Sequence, residues 1–234
     1  SEGVTNYFDM LMQMPSAELA RVLIEGLPSR MDTLTAFLNE DHYALFPLYN
    51  FYFTRDASVT IGNHALICRM ANKVRMRESL IMEAIYKGSG EFQCGIINAH
   101  NFQPGNKDIY MEGGDILIAR EDILLIGNGV RTSTQGIDML VSQLCHIAPQ
   151  GQKHIIVQQL PSTPESFIHL DMVFTLLDHD KCMVFEPLIL RDNQYQTVHI
   201  TIDNGKVSRI SHAHNLPRVL KSLGMDLEPV ICGG

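Results

Sequence analysis

The sequence contains no tryptophan, no cysteines in a CxxC pair, no stripe of Lys and Arg, and no apolar run near the ~20 residues of a membrane span. Each absence removes a class. Acidic residues outnumber basic ones, 26 against 18, for a net charge of −8. That balance argues against a nucleic-acid surface and suits a cationic ligand, while the lack of a long apolar run argues against a membrane protein. The five cysteines are Cys68, Cys94, Cys145, Cys182 and Cys232, an odd number, as expected of a reduced, cytoplasmic chain. Cys68, Cys145 and Cys182 sit inside apolar runs and read as buried small hydrophobes. The opening Ser-Glu-Gly-Val-Thr is not expected to be a signal peptide. What is present is an ordinary globular mix, 45% hydrophobic and 19% charged over 234 residues. That is enough for one large or two small domains around a real core.

Residues 1–43 read as helical. Ser16 is placed to cap Ala17–Glu25, Gly26 to stop it, and a second short helix is expected over Met31–Asn39. From residue 44 to 234 the pattern repeats. Arg55-Asp56, Gly114-Asp115 and Leu170-Asp171 each lead into a predicted β-hairpin, and the Asp residues are spaced 59 and then 56 apart. A predicted helix follows each hairpin (Arg75–Tyr86, Thr134–His146, Leu216–Leu223), and an apolar segment follows each helix. One extra hairpin around Asn204-Gly205 interrupts the third repeat. The unit is ββαβ. Units related by a pseudo-rotation place equivalent residues around one axis, so Asp56, Asp115 and Asp171 are expected to converge.

The neighbours of these Asp residues carry chemistry. Glu112-Gly-Gly puts a second carboxylate three residues before Asp115 at a strand entrance. His169 stands two residues before Asp171. If both lie on a strand they face one space, as a general acid/base beside an anion or as a pair of metal ligands. Phe51 and Phe53, in the aromatic run before Asp56, are expected to fill the core and to leave Asn50 and Asp56 for a site. Arg75 and Arg131 lie near helix starts, where an Arg is able to grip a carboxylate with forked hydrogen bonds. Carboxylates match a guanidinium, and arginine offers both groups.

Phe53-Thr-Arg-Asp56, Glu112-Gly-Gly-Asp115, Gly127-x-x-x-Arg131-Thr132 and His169-Leu-Asp171-x-x-Phe174 together resemble the motifs of the arginine deiminases, from about Asn50 to Gly234. The resemblance implies an α/β fold, the pentein-type ββαβ propeller, with about three of its five units present. Residues 1–43 would then be the remnant of a helical insertion. It implies hydrolysis of free L-arginine to citrulline and ammonia through a Cys thiolate intermediate, with no cofactor and no metal. Asp56 and Asp171 would bind the guanidinium nitrogens, Glu112 would position substrate and water, and His169 would be the acid/base. Asp115 would support the acids, while Asn50, Arg75 and Arg131 would hold the amino-acid end.

The nucleophile of that family lies in a later glycine-rich segment. Cys232 is expected to be structural, so the chain reads as an inactive fragment with open strand edges that suit a homo-oligomer. The competing readings are an amidinotransferase, a deiminase of agmatine or of peptidyl-arginine, and a non-catalytic arginine-binding module.

Overall fold

The computed structural model describes residues 2–38, 42–102 and 109–233. Two compact units divide the chain, Ser1–Phe53 and Thr54–Gly234. The first contains α1 (Glu2–Gln13), α2 (Ser16–Glu25), β1 (Leu27–Pro28), α3 (Leu34–Leu38) and β2 (Tyr43–Leu45). Ser16 does not cap α2 as expected. Pro15 occupies the cap position in an extended conformation and has no side chain to accept a hydrogen bond, so Ser16 is the first helical residue. Gly26, at φ +89°, ends the helix, and a Cβ there would meet the Leu45 carbonyl at 2.6 Å. A glycine is what lets the chain turn so closely into β1, which pairs antiparallel with β2. The expected helix over 31–39 is observed as α3, and Asn39 lies outside the described residues.

The second unit repeats one motif. The first copy is α4 (Thr54–Ala57), β3 (Ser58–Ile61), β4 (His64–Ile67), α5 (Met76–Gly88) and β5 (Gly95–Asn98). A 3-10 turn over Gly113–Asp115 opens the second copy, β6 (Ile116–Arg120), β7 (Ile123–Asn128), α6 (Thr134–Ile147) and β8 (Gln152–Gln159). A 3-10 turn over Leu170–Met172 opens the third, β9 (Phe174–Asp178), β10 (Lys181–Val184), α7 (Glu186–Ile189), β11 (Thr197–Asp203), β12 (Lys206–Ala213), α8 (Leu216–Ser222) and β13 (Glu228–Ile231). In each copy the hairpin is antiparallel, and its second strand runs parallel to the strand after the helix.

Alternation along β7 explains why Ile123-Leu-Leu-Ile126 is apolar throughout. Leu124 and Ile126 enter one core with Leu66, Ile97, Leu140 and Ile155. Ile123 and Leu125 enter a second core with Ile156, Phe174, Val184 and Leu220. A strand buried on both faces loses the polar half of the usual pattern, and each such side chain contributes roughly 1.5–3 kcal/mol.

Two expectations are corrected. The extra hairpin interrupts the third copy in sequence but joins the second in space. β11 pairs antiparallel with β8, giving a five-stranded sheet ordered β12-β11-β8-β7-β6. Its Ile200 and Ile202 are buried in the first core, which fixes that placement. The Asp residues stand before the hairpins as expected, each in a single helical turn, and the strand expected to carry His169 and Asp171 is absent there, since β9 begins at Phe174. No helix among the described residues is long and apolar enough to cross a membrane.

Candidate active site

The three Asp-bearing turns pack together: α4 against the 113–115 turn, and that turn against the 170–172 turn. Two glycines permit this. A Cβ on Gly113 would collide with the Arg55 carbonyl, and one on Gly114 would stand 2.6 Å from His169 Nδ1 and 3.1 Å from Asp56 Oδ1. The Glu112-Gly-Gly-Asp115 run is therefore a contact surface for both flanking copies.

At the centre, Asp56, Glu112 and His169 each offer a ligand atom, all within 4.8 Å of one another. His169 Nε2 lies 3.0 Å from Glu112 Oε2, and its Nδ1 lies 3.9 Å from Asp56 Oδ1. Glu112 is fully buried; its Oε1 accepts the Ala71 N–H at 3.1 Å, and its own N–H donates to Thr132 Oγ1 at 3.2 Å. Burial opposes charge on both members of the pair. It is outweighed in His169 by the hydrogen bond to Glu112 and by Asp115 and Asp56, so the imidazole is held above its ordinary value. It is outweighed in Glu112 by His169 and Arg131, so the carboxyl is held below its own.

Arg75 is almost buried. Its Nη1 donates to Asp56 Oδ2 at 2.8 Å and lies 3.7 Å from Glu112 Oε2, while Nε and Nη2 fork onto Glu78 at 2.7–3.2 Å. Burial works against its charge, but Glu78 and Asp56 raise its pKa further above the ordinary range. A carboxylate–imidazole set of this size also has the composition of a transition-metal site. Here a guanidinium cation already stands against two of the three donors, and the set reads as a charge-paired cluster.

Arg131 sits in a loop closed by the Gly129 N–H to the Thr132 carbonyl, 3.1 Å, just before Ser133 caps α6. Its Nη1 lies 3.5 Å from Glu112 Oε1, and the side chain remains partly exposed. Asp171 is also partly exposed, 3.8 Å from Arg55 Nε. Burial raises the Asp171 carboxyl, opposed by His169 and Arg55. The strand argument for His169 and Asp171 is corrected: His169 is extended but Asp171 lies in the 3-10 turn. Asp115 is fully buried. Its Oδ1 accepts the Leu170 N–H at 2.9 Å, and burial, opposed by His169, the Thr132 hydroxyl and that N–H, pushes its pKa up to about 7. Asn50 lies in a turn of the first unit, where its carbonyl accepts the Phe53 N–H at 3.0 Å.

Over residues 11–234 the chain matches the family described as arginine deiminase. It belongs to the arginine deiminase family. The relatives are consistent with this. An arginine deiminase of Bacillus cytotoxicus is 36% identical over 97% of this chain and 57% of its own length. One of Staphylococcus haemolyticus is 33% identical over 86% of the chain and 49% of its own. The chain spans about half the length of the curated relatives it matches. The apo crystal structure of ArgZ, described as an arginine dihydrolase of the cyanobacterial ornithine-ammonia cycle, superposes at a TM-score of 0.50. That match has 18% identity and covers 77% of this chain and 22% of the other. The fold is the α/β pentein type, and its repeated unit is the ββαβ motif described above.

Among arginine deiminase features, the site adds residues that the motifs did not flag. Glu78 is buried and binds Arg75 from three residues on, a spacing that an Arg-x-x-Glu at a helix start would have signalled. Arg55 lies inside the Phe-Thr-Arg-Asp motif, and its side chain reaches the Gly113 and Ile116 carbonyls. Of the cysteines, Cys68 is fully buried in the first core. Burial and then the charges of Glu112, Asp56 and Asp115 hold its thiol protonated far above the ordinary range. Cys232 is exposed just after β13, where its N–H bonds the Val184 carbonyl.

Proposed function

We propose that this chain performs the guanidinium-recognition and proton-transfer part of an arginine deiminase reaction on free L-arginine. The observation that carries the reading is the convergence of carboxylates from three copies of the repeat, Asp56, Glu112 and Asp171, around His169. Asp56, Glu78, Glu112 and Asp171 are four carboxylates, while Arg55, Arg75 and Arg131 are three fixed cations around them. Asp171 lies close enough to His169 and Asp56 for each to act on its charge, and a planar monocation with five N–H donors matches carboxylates gathered in this way.

Asp56 Oδ1 and the Asp171 carboxylate are the acceptors left for the guanidinium, because Asp56 Oδ2 already binds Arg75. Arg131, partly exposed at the rim, is placed to meet the substrate carboxylate. His169, kept basic by Glu112, is the group that gives a proton to departing ammonia and takes one from attacking water. The covalent step calls for a thiolate. Cys68 does not qualify, since deprotonating it would bury an anion in the apolar core beside Glu112 and Asp56.

The test is calorimetry with L-arginine, alongside a citrulline assay. Expected are saturable binding of arginine and no citrulline. Absence of binding overturns the reading. Turnover that disappears in Cys232→Ala makes Cys232 the nucleophile.

A further inference from the structure

Arg55 belongs to the motif that carries Asp56, yet its side chain serves the other two copies of the repeat. Nη2 donates to the Ile116 carbonyl at 2.7 Å and Nε to the Gly113 carbonyl at 3.3 Å, 61 and 58 residues away in sequence. The same Nε lies 3.8 Å from Asp171 Oδ2. The Arg55 main chain is also against this turn, since its carbonyl is what a Cβ on Gly113 would strike. One residue of the first copy thus holds both ends of the turn bearing Glu112 and Asp115 and faces the acid of the third copy.

We propose that Arg55 is a positioning residue for the guanidinium site, clasping the 113–116 turn and setting where the Asp171 carboxylate stands relative to Glu112 and Asp56. The proposal rests on the functional reading above for the word guanidinium, and on geometry alone for the clasp. A planar fork is needed because Nε and Nη2 donate to two carbonyls at the two ends of the turn at once, a span that a single ammonium does not offer. Three groups act on Asp171: His169 and Arg55 favour its anion, and Asp56 disfavours it. Removing Arg55 leaves a partly buried carboxylate facing another carboxylate.

The experiment compares Arg55→Gln and Arg55→Lys with the parent chain by arginine calorimetry and by carbon-detected NMR titration of Asp171. Arg55→Gln is expected to weaken arginine about tenfold and to raise the Asp171 titration by roughly half to one unit. Arg55→Lys keeps the charge without the fork. Its Asp171 titration should stay near the parent's while arginine is still weakened several-fold, about half the loss in free energy. Unchanged binding and titration in Arg55→Gln overturn the proposal. So does a lysine variant identical to the parent in both measurements, and this variant decides the matter where the glutamine variant does not fold. If the parent chain binds no arginine, the functional reading fails by itself, and the Asp171 titration still decides the clasp.

Discussion

His169 Nε2 stands 3.0 Å from Glu112 Oε2 although 57 residues separate the two in sequence. The pair is buried, and each partner shifts the other toward its charged form. His169 is held above its ordinary 6.5 and Glu112 below its ordinary 4.5. A raised imidazole contributes stability that is full below 6.5 and is lost as pH rises through the raised value. A lowered carboxyl contributes stability that is present above 4.5 and is lost as pH falls through the lowered value. The pair therefore stabilises most between those two ordinary values.

Glu112→Gln removes the charge and keeps the shape. It should cost about 1.5–3 kcal/mol near pH 5.5, where the bond is charge-assisted, and less near pH 9. Urea unfolding at both pH values measures the difference. The His169 ring protons should also titrate at lower pH in the variant. An equal loss at the two pH values would mean that His169 is not charged in the folded chain.

Asp115 behaves in the opposite sense to most carboxylates. Its pKa is raised to about 7, so its contribution is full below its ordinary 3.8 and is lost as pH rises through about 7. Asp115→Asn cannot ionise and should gain on the parent chain as pH goes from about 5 to about 9. Asp115→Ala leaves the Leu170 N–H without its acceptor and should cost about 1–3 kcal/mol at either pH. Denaturant melts of both variants test this; a parallel pH course for parent and Asn variant contradicts it.

Gly114 is the position where the turn meets the imidazole. Gly114→Ala puts a methyl 2.6 Å from His169 Nδ1, so the ring must rotate or the turn must back away. The expected result is about 1–3 kcal/mol of destabilisation. Arginine binding should be lost as well, read by the same calorimetry. Retained affinity at unchanged stability would show that the ring has free space.

Arg131 should discriminate substrates. Arg131→Ala is expected to weaken L-arginine about tenfold and to leave agmatine, which has no carboxylate, almost unchanged. Loss of both ligands together would place Arg131 at the guanidinium end instead.

Sequence alone determined the unit and its spacing. Asp before a hairpin, then a helix, then an apolar strand recurs at 59 and 56 residues, because period-two and helical patterns are local properties of the chain. It also offered Asp56, Glu112, Asp115, Asp171, His169, Arg75 and Arg131 as candidates, since motif spacing survives without coordinates. Three things needed the tertiary structure. β11 and β12 extend the sheet of the second copy because Ile200 and Ile202 find their apolar partners there, a choice that hairpin signals do not encode. Arg75 is fixed between Glu78 and Asp56, a pairing across 19 residues that depends on how α5 packs on α4. And Arg55, adjacent to Asp56 in the chain, points instead to carbonyls of the second copy and the carboxylate of the third. Backbone direction within a single helical turn decides that, and the close approach of the two copies there depends on Gly113, where a Cβ would strike the Arg55 carbonyl.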